Sequence, residues 1–137
     1  MNNQQRAELS KKNPYWIPRD KYYELLYFSR QYWTMKQEKK ELLRTYPTIS
    51  YDENYTITDI SNPVEKAVCR VSYLTDMMKL IEDTVKEVDP DIYKWLLNGV
   101  TTDKSYEYLN QKMGLPMSRS AYYERYRKYF FLLSKKR

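Results

Sequence analysis

The 137-residue sequence has no histidine, one cysteine and only two glycines. Without histidine the commonest general base and metal ligand near neutral pH is missing, which argues against hydrolytic or zinc chemistry. A single cysteine, Cys69, excludes an internal disulfide, and neither a CxxC pair nor a glycine-rich phosphate loop is present. Cys69 falls within a helical pattern with no base beside it. Asp89 and Asp91 flank a helix start, where capping explains them better than acid–base or metal chemistry. The expectation is a protein that is not an enzyme and uses no metal and no cofactor. No apolar run approaches the ~18 residues of a membrane span, and residues 1 to 12 (MNNQQRAELSKK) carry no signal-like apolar stretch, so no membrane partner and a cytoplasmic location are expected.

Tyrosine and positive charge are abundant instead. Sixteen tyrosines point to a helical protein whose core and surface share amphipathic rings, each hiding an aromatic body and keeping a hydroxyl wet. Residues 1 to 49 hold ten basic and five acidic side chains, residues 50 to 100 five and ten, and residues 101 to 137 nine and three. The net signs run +5, −5 and +6, and the last segment alone equals the net charge of the chain. Two basic ends around an acidic middle fit either internal complementarity or surfaces facing a polyanion, and a pI near 9.2 favours nucleic acid as the partner. A solvated basic surface with no ligand is the plainer alternative.

Local patterns predict an all-α fold: a helical bundle with a long central helix and a C-terminal trihelical helix-turn-helix module. A length of this order buries roughly 68% of the unfolded surface, enough to fold without staples. Four segments are expected, namely 1–44 (polar arm and aromatic helix), 45–61 (long loop), 62–88 (long amphipathic helix) and 89–137 (helix-turn-helix module). Asn13-Pro14-Tyr15-Trp16 reads as a turn. The first helix follows Pro18, with Tyr22, Leu25, Leu26, Phe28, Tyr32, Trp33 and Met35 as its apolar face, bends near Trp33 and ends before Tyr46-Pro47. Ile49, Tyr51, Tyr55 and Ile57 alternate weakly within the loop.

The cleanest helix start is Asn62 as N-cap, Pro63 at the first position and Glu65 three residues after the cap. Val64, Ala67, Val71, Leu74, Met78, Ile81, Val85 and Val88 then repeat at spacings of three and four along one stripe. Packing on the first helix is one outlet for this stripe; a homodimer through the Val64–Val88 helix is the other. Glu82 and Lys86 form an expected i,i+4 pair. Asp89-Pro90 starts three short helices, expected at roughly 90 to 98, 103 to 113 and 118 to 134, the first stopped by Asn98-Gly99.

In that module Gly114 takes the sharp turn, with Leu109, Met113 and Leu115 locking two helices together. Asn110 and Ser120 depart from the pattern, being polar where apolar residues are usual. On the last helix Tyr122, Tyr126, Tyr129 and Leu133 share the core side, leaving Ser120, Glu124, Arg127 and Lys128 outside. Arg127 suits guanine, Glu124 suits cytosine, and Ser118 or Ser120 suits a phosphate or base edge at the helix N-terminus. Lys104, Lys112, Arg119, Arg125, Lys135, Lys136 and Arg137 are expected on phosphates, where they set affinity and salt sensitivity.

Two stretches, Asn13 to Leu25 (NPYWIPRDKYYEL) and Ser120 to Leu133 (SAYYERYRKYFFLL), resemble phage and prophage late-gene transcriptional regulators of the RinA and ArpU type. The C-terminal part of such regulators is similar to the promoter-reading region 4 of sigma factors. The resemblance touches both ends of the chain, with Ser105 to Gly114 between them, and does not extend over Thr45 to Asn62. It implies sequence-specific binding of double-stranded DNA upstream of late genes, with Ser118, Arg119, Ser120, Glu124 and Arg127 at reading-helix positions and the host cytoplasm as location. Host RNA polymerase or another host protein is a further expected partner. Two other functions stay open: a phage inhibitor of a host nucleic-acid machine, such as a CRISPR nuclease or RNA polymerase, and a small terminase-like DNA recognition subunit.

Overall fold

Short side chains set where the helices begin. Asn62 Oδ1 accepts from the Val64 amide at 2.8 Å, Asp89 Oδ1 from Asp91 at 3.0 Å, and Ser105 and Ser118 hydroxyls from Tyr108 and Ala121 at 3.3 Å each. Each satisfies an amide that helix geometry leaves without a partner. The computed structural model describes residues 13–49 and 62–137, and every regular element among them is helical. These elements are α1 (Arg19–Ser29), α2 (Tyr32–Thr45), α3 (Pro63–Val88), a 3₁₀ turn (Pro90–Ile92), α4 (Tyr93–Thr101), α5 (Tyr106–Met113) and α6 (Arg119–Lys136). The N-terminal polar arm and the alternating Tyr51, Tyr55 and Ile57 of the expected loop lie outside the described residues. Among the described residues no helix is long and apolar enough to cross a membrane.

Two differences from the sequence expectation concern where helices stop. The expected single first helix is interrupted at Arg30-Gln31, where the Gln31 amide turns to the Phe28 carbonyl at 3.1 Å, ahead of the anticipated bend at Trp33. Ser29, the last residue of α1, is buried and shares a 2.8 Å hydrogen bond with the Tyr129 hydroxyl, a long-range anchor that no local pattern contains. Gly99 does not stop α4, which runs on to Thr101. Its role is steric: a Cβ there would overlap the Tyr122 hydroxyl and stand 3.3 Å from Leu109 Cδ1. A bare backbone lets α6 approach α4 closely.

The chain divides into two compact units, Met1–Tyr32 with Leu80–Arg137, and Trp33–Lys79. In the larger, α4 packs on α1, α5 and α6, and α1 packs on α6. Leu25, Leu96, Val100, Leu109, Leu115 and Leu133 are fully buried there, and Ile81 and Val85 bring the end of the α3 stripe into the core. Much of the remaining interior is aromatic. Phe130 meets Tyr22, Tyr126 and Tyr129 edge-on at centroid distances of 5.1, 5.0 and 4.9 Å, a geometry worth about 0.5–1.5 kcal/mol per pair beyond burial. Tyr22 and Tyr126 hydroxyls lie 3.3 Å apart, so buried phenols satisfy one another. The expected Glu82–Lys86 pair does not form: Glu82 accepts from the Tyr32 hydroxyl at 2.6 Å, and Lys86 lies over the Tyr93 ring.

In the smaller unit Met35 of α2 and Ala67, Val71, Leu74 and Met78 of α3 are buried. Arg70 grips Glu38 with two hydrogen bonds of 2.8 and 3.0 Å, which hold the Glu38 carboxyl below the ordinary carboxylate range. Thr45 closes α2 by donating to the Glu41 carbonyl at 2.9 Å. Burial of the α3 stripe continues through both units, leaving Val64 and Val88 half-exposed at its ends.

Candidate nucleic-acid interface

The connection between α5 and α6 is held by both backbone and side-chain hydrogen bonds. Gly114 has φ 72°, the left-handed conformation that glycine adopts without a Cβ penalty. It lets the amides of Gly114 and Leu115 fold back on the carbonyls of Asn110 and Leu109, at 3.2 and 3.0 Å. Side chains then hold the carbonyls that follow. Trp95 Nε1 donates to Met113 at 2.7 Å, the Asn110 amide to Leu115 at 2.9 Å, and the Tyr106 hydroxyl to Met117 at 2.6 Å. Leu109 and Leu115 are buried as expected, whereas Met113 is half-exposed and contributes its carbonyl.

Both departures from the sequence pattern now have physical reasons. Asn110 is polar because its side chain bridges the turn, which a small apolar residue cannot do. Ser120 is exposed, so it does not occupy a core position, and Tyr122 and Tyr123 fill the interior of this register. The helical period of α6 thereby divides it into a buried face of Tyr122, Tyr126, Tyr129 and Leu133 and an outer face that includes Ser120 and Glu124.

The residues expected to read bases are placed unequally. Ser120 and Glu124 are exposed, while Arg127 and Lys128 are half-buried. Partial desolvation lowers the Arg127 pKa from its ordinary value, an effect that Glu124 opposes. Ser118 is the N-cap of α6. Arg119 turns away from this face: it forms an ion pair with Glu107 and stacks 5.1 Å from the centre of the Tyr123 ring. Lys128 lines a polar depression of about 130 Å³ with Asp89, Glu124 and Arg125.

The expected phosphate contacts are largely engaged within the fold. Arg125 Nε donates to Asp89 Oδ2 at 2.8 Å and a second guanidinium nitrogen to the Ala121 carbonyl at 3.1 Å. Lys136 pairs with Glu87 at 2.6 Å, and Arg137 with Glu24 at 3.6 Å over the Phe28 ring. Lys135 rests 4.3 Å from the Phe131 ring centre, and Lys104 donates to Asn98 Oδ1 at 3.3 Å. Lys112, in the last turn of α5, is exposed. The sequence marked the cations but not their internal partners, because Asp89, Glu87 and Glu24 lie 36, 49 and 113 residues away along the chain.

One grouping of residues is not legible in the sequence. Arg30, Lys104 and the rings of Tyr122, Tyr123 and Tyr126 line a second polar pocket at the start of α5. From sequence, Arg30 and Tyr123 have no expected role, and Tyr122 and Tyr126 belong to the core. Comparison of the chain with protein-family models, with curated proteins and with solved structures finds no match in any of the three.

Proposed function

We propose that this chain is a sequence-specific binder of double-stranded DNA that regulates transcription, of the phage late-gene kind, and that α5, the Gly114 turn and α6 act as its helix-turn-helix. The observation that carries the reading is the outer face of α6, where Ser120 and Glu124 stand exposed beside a turn held by Trp95, Asn110 and Tyr106. A rigid turn fixes the angle at which a reading helix enters the major groove. Arg127 and Lys128 flank that face and supply its positive charge, with Glu124 as a candidate acceptor for cytosine. Because Arg119, Arg125, Lys136 and Arg137 are held in ion pairs, they contribute to the field of the surface more than to individual phosphates.

Fluorescence anisotropy with duplexes from the element's own promoters tests the reading. Binding is expected to depend on sequence and to weaken with salt, with Arg127→Ala costing about 1–3 kcal/mol and relaxing preference at one base pair. Equal affinity for promoter and scrambled duplex would remove the proposal.

A second reading, inhibition of a host nucleic-acid machine through a protein contact, is favoured by exposed aromatic rings. Tyr27 and Tyr73 are 58% and 50% exposed, and Tyr27 stacks on Tyr23 at 6.2 Å. Exposed tyrosines of this kind serve protein interfaces well. Co-purification with RNA polymerase or a nuclease, retained in Arg127→Ala, selects this reading over the first.

A further inference from the structure

Buried hydroxyls almost always find a partner, and leaving one without costs stability. Tyr122 is such an exception among the described residues. Its side chain is 1% exposed, its hydroxyl has no hydrogen-bond partner, and burial raises its pKa above the ordinary phenol value. The hydroxyl sits against Gly99, where any side chain would collide with it. Gly99 and Tyr122 both line the pocket at the start of α5, so the ring that carries the unpartnered group is part of the pocket wall and its hydroxyl lies just beneath that surface.

The pocket has a free volume of about 70 Å³, several times the ~10–15 Å³ that one water needs on the same measure. Its other donors converge from three elements. Arg30 comes from the end of α1; its amide donates to the Leu26 carbonyl, while its guanidinium makes no hydrogen bond or ion pair among the described residues. Lys104 precedes α5; one hydrogen bond to Asn98 leaves its remaining protons available. Tyr126, beside Arg30, already shares a hydrogen bond with Tyr22. Tyr123 receives the amide of Tyr106, at the positive end of α5, at 3.2 Å. Asp103 is the single carboxylate of the lining, set against two cations.

We propose that this pocket binds a phosphate oxyanion, held by Arg30, Lys104 and the Tyr122 hydroxyl. Water would satisfy Tyr122 but would neutralise neither cation. A tetrahedral anion offers peripheral oxygens to a guanidinium fork, an ammonium and a phenol at once. The site goes beyond the DNA-reading proposal. Tyr122 belongs to the buried side of α6, whereas Ser120 and Glu124 belong to the exposed side, so either proposal can fail alone. The phosphate has two sources with the same chemistry, a nucleic-acid backbone or a free phosphate or phosphomonoester.

Thermal unfolding of the full chain, titrated with inorganic phosphate against chloride at matched ionic strength, provides the test. A saturable rise in Tm specific to phosphate is expected. Arg30→Ala and Tyr122→Phe should each raise the half-saturating phosphate concentration about tenfold, Asp103→Asn should lower it, and Lys112→Ala, at the other end of α5, should leave it unchanged. Tyr122→Phe keeps the ring and removes only the unpartnered hydroxyl, so its loss of phosphate response cannot be assigned to misfolding if its Tm without phosphate is retained or raised. The same variant titrated with a mixed-sequence duplex identifies the source: weakened duplex binding and competition by phosphate point to the backbone, and unaltered duplex binding points to a free ester. No saturable response to phosphate, or one that Arg30→Ala and Tyr122→Phe both leave intact, overturns the proposal.

Discussion

Alkaline pH should unfold the larger unit steeply, because its core is built on phenols that have no room to ionise. Burial pushes the pKa values of Tyr122, Tyr126 and Tyr129 far above the ordinary value, and Tyr126 is raised further by the neighbouring Tyr22. Each folded-state value lies above its unfolded value of about 10, so the stability these groups contribute is complete below pH ~10 and falls as pH rises towards the folded values. In that window each tyrosine binds its proton only in the folded state. The slope is therefore about 1.4 kcal/mol per pH unit for each of them, or ~4 kcal/mol per unit for the three together. One and a half units above pH ~10 the loss reaches ~6 kcal/mol, comparable with the 5–15 kcal/mol that holds a typical domain together. Urea denaturation followed by circular dichroism at stepped pH measures the slope, while tyrosinate absorbance on the same samples reports ionisation. Tyr122→Phe should flatten the slope by about a third. Full tyrosinate absorbance in a protein that keeps its native dichroism and urea midpoint would show that the cluster ionises while folded, and would refute the argument.

Three substitutions test the packing more locally. Gly99→Ala should lower stability by about 2–4 kcal/mol in spite of the ~1 kcal/mol that alanine gains in helix propensity, because its Cβ meets the Tyr122 hydroxyl; Tyr122→Phe in the same chain should restore part of the loss. Gly114→Ala has open space for its methyl and should cost only about 1 kcal/mol, the left-handed backbone term, with Gly114→Asn milder still; a loss above ~3 kcal/mol in chemical denaturation would contradict a purely conformational cost. Asp89→Ala removes both the cap on the 3₁₀ turn and the Arg125 ion pair, and should cost about 2 kcal/mol, whereas Arg125→Gln keeps the cap, losing the pair and the hydrogen bond to the Ala121 carbonyl, and should cost less.

The sequence determined the features that rest on neighbours a few residues apart. Asn62 and Asp89 read as caps in the sequence because each side chain reaches an amide two positions ahead; Ser105 and Ser118 cap in the same way three positions ahead, although the sequence suggests a DNA contact for Ser118 and no cap at Ser105. The three- and four-residue spacing of the α3 stripe and of the Tyr122–Leu133 face follows from helical pitch, and both are buried apart from Val64 and Val88 at the ends of the stripe. Tertiary structure decided whatever depends on distant partners. It gave two glycines opposite roles: Gly114 turns the chain, while Gly99 sits in mid-helix to admit a tyrosine from α6. It also ended α1 at Ser29 through Tyr129, and it drew cations that sequence assigns to phosphates into pairs with Asp89, Glu87 and Glu24. Charge and hydrophobicity are properties of single residues, but whether a charge faces solvent, a carboxylate or a pocket is fixed only when elements far apart in the chain are packed together.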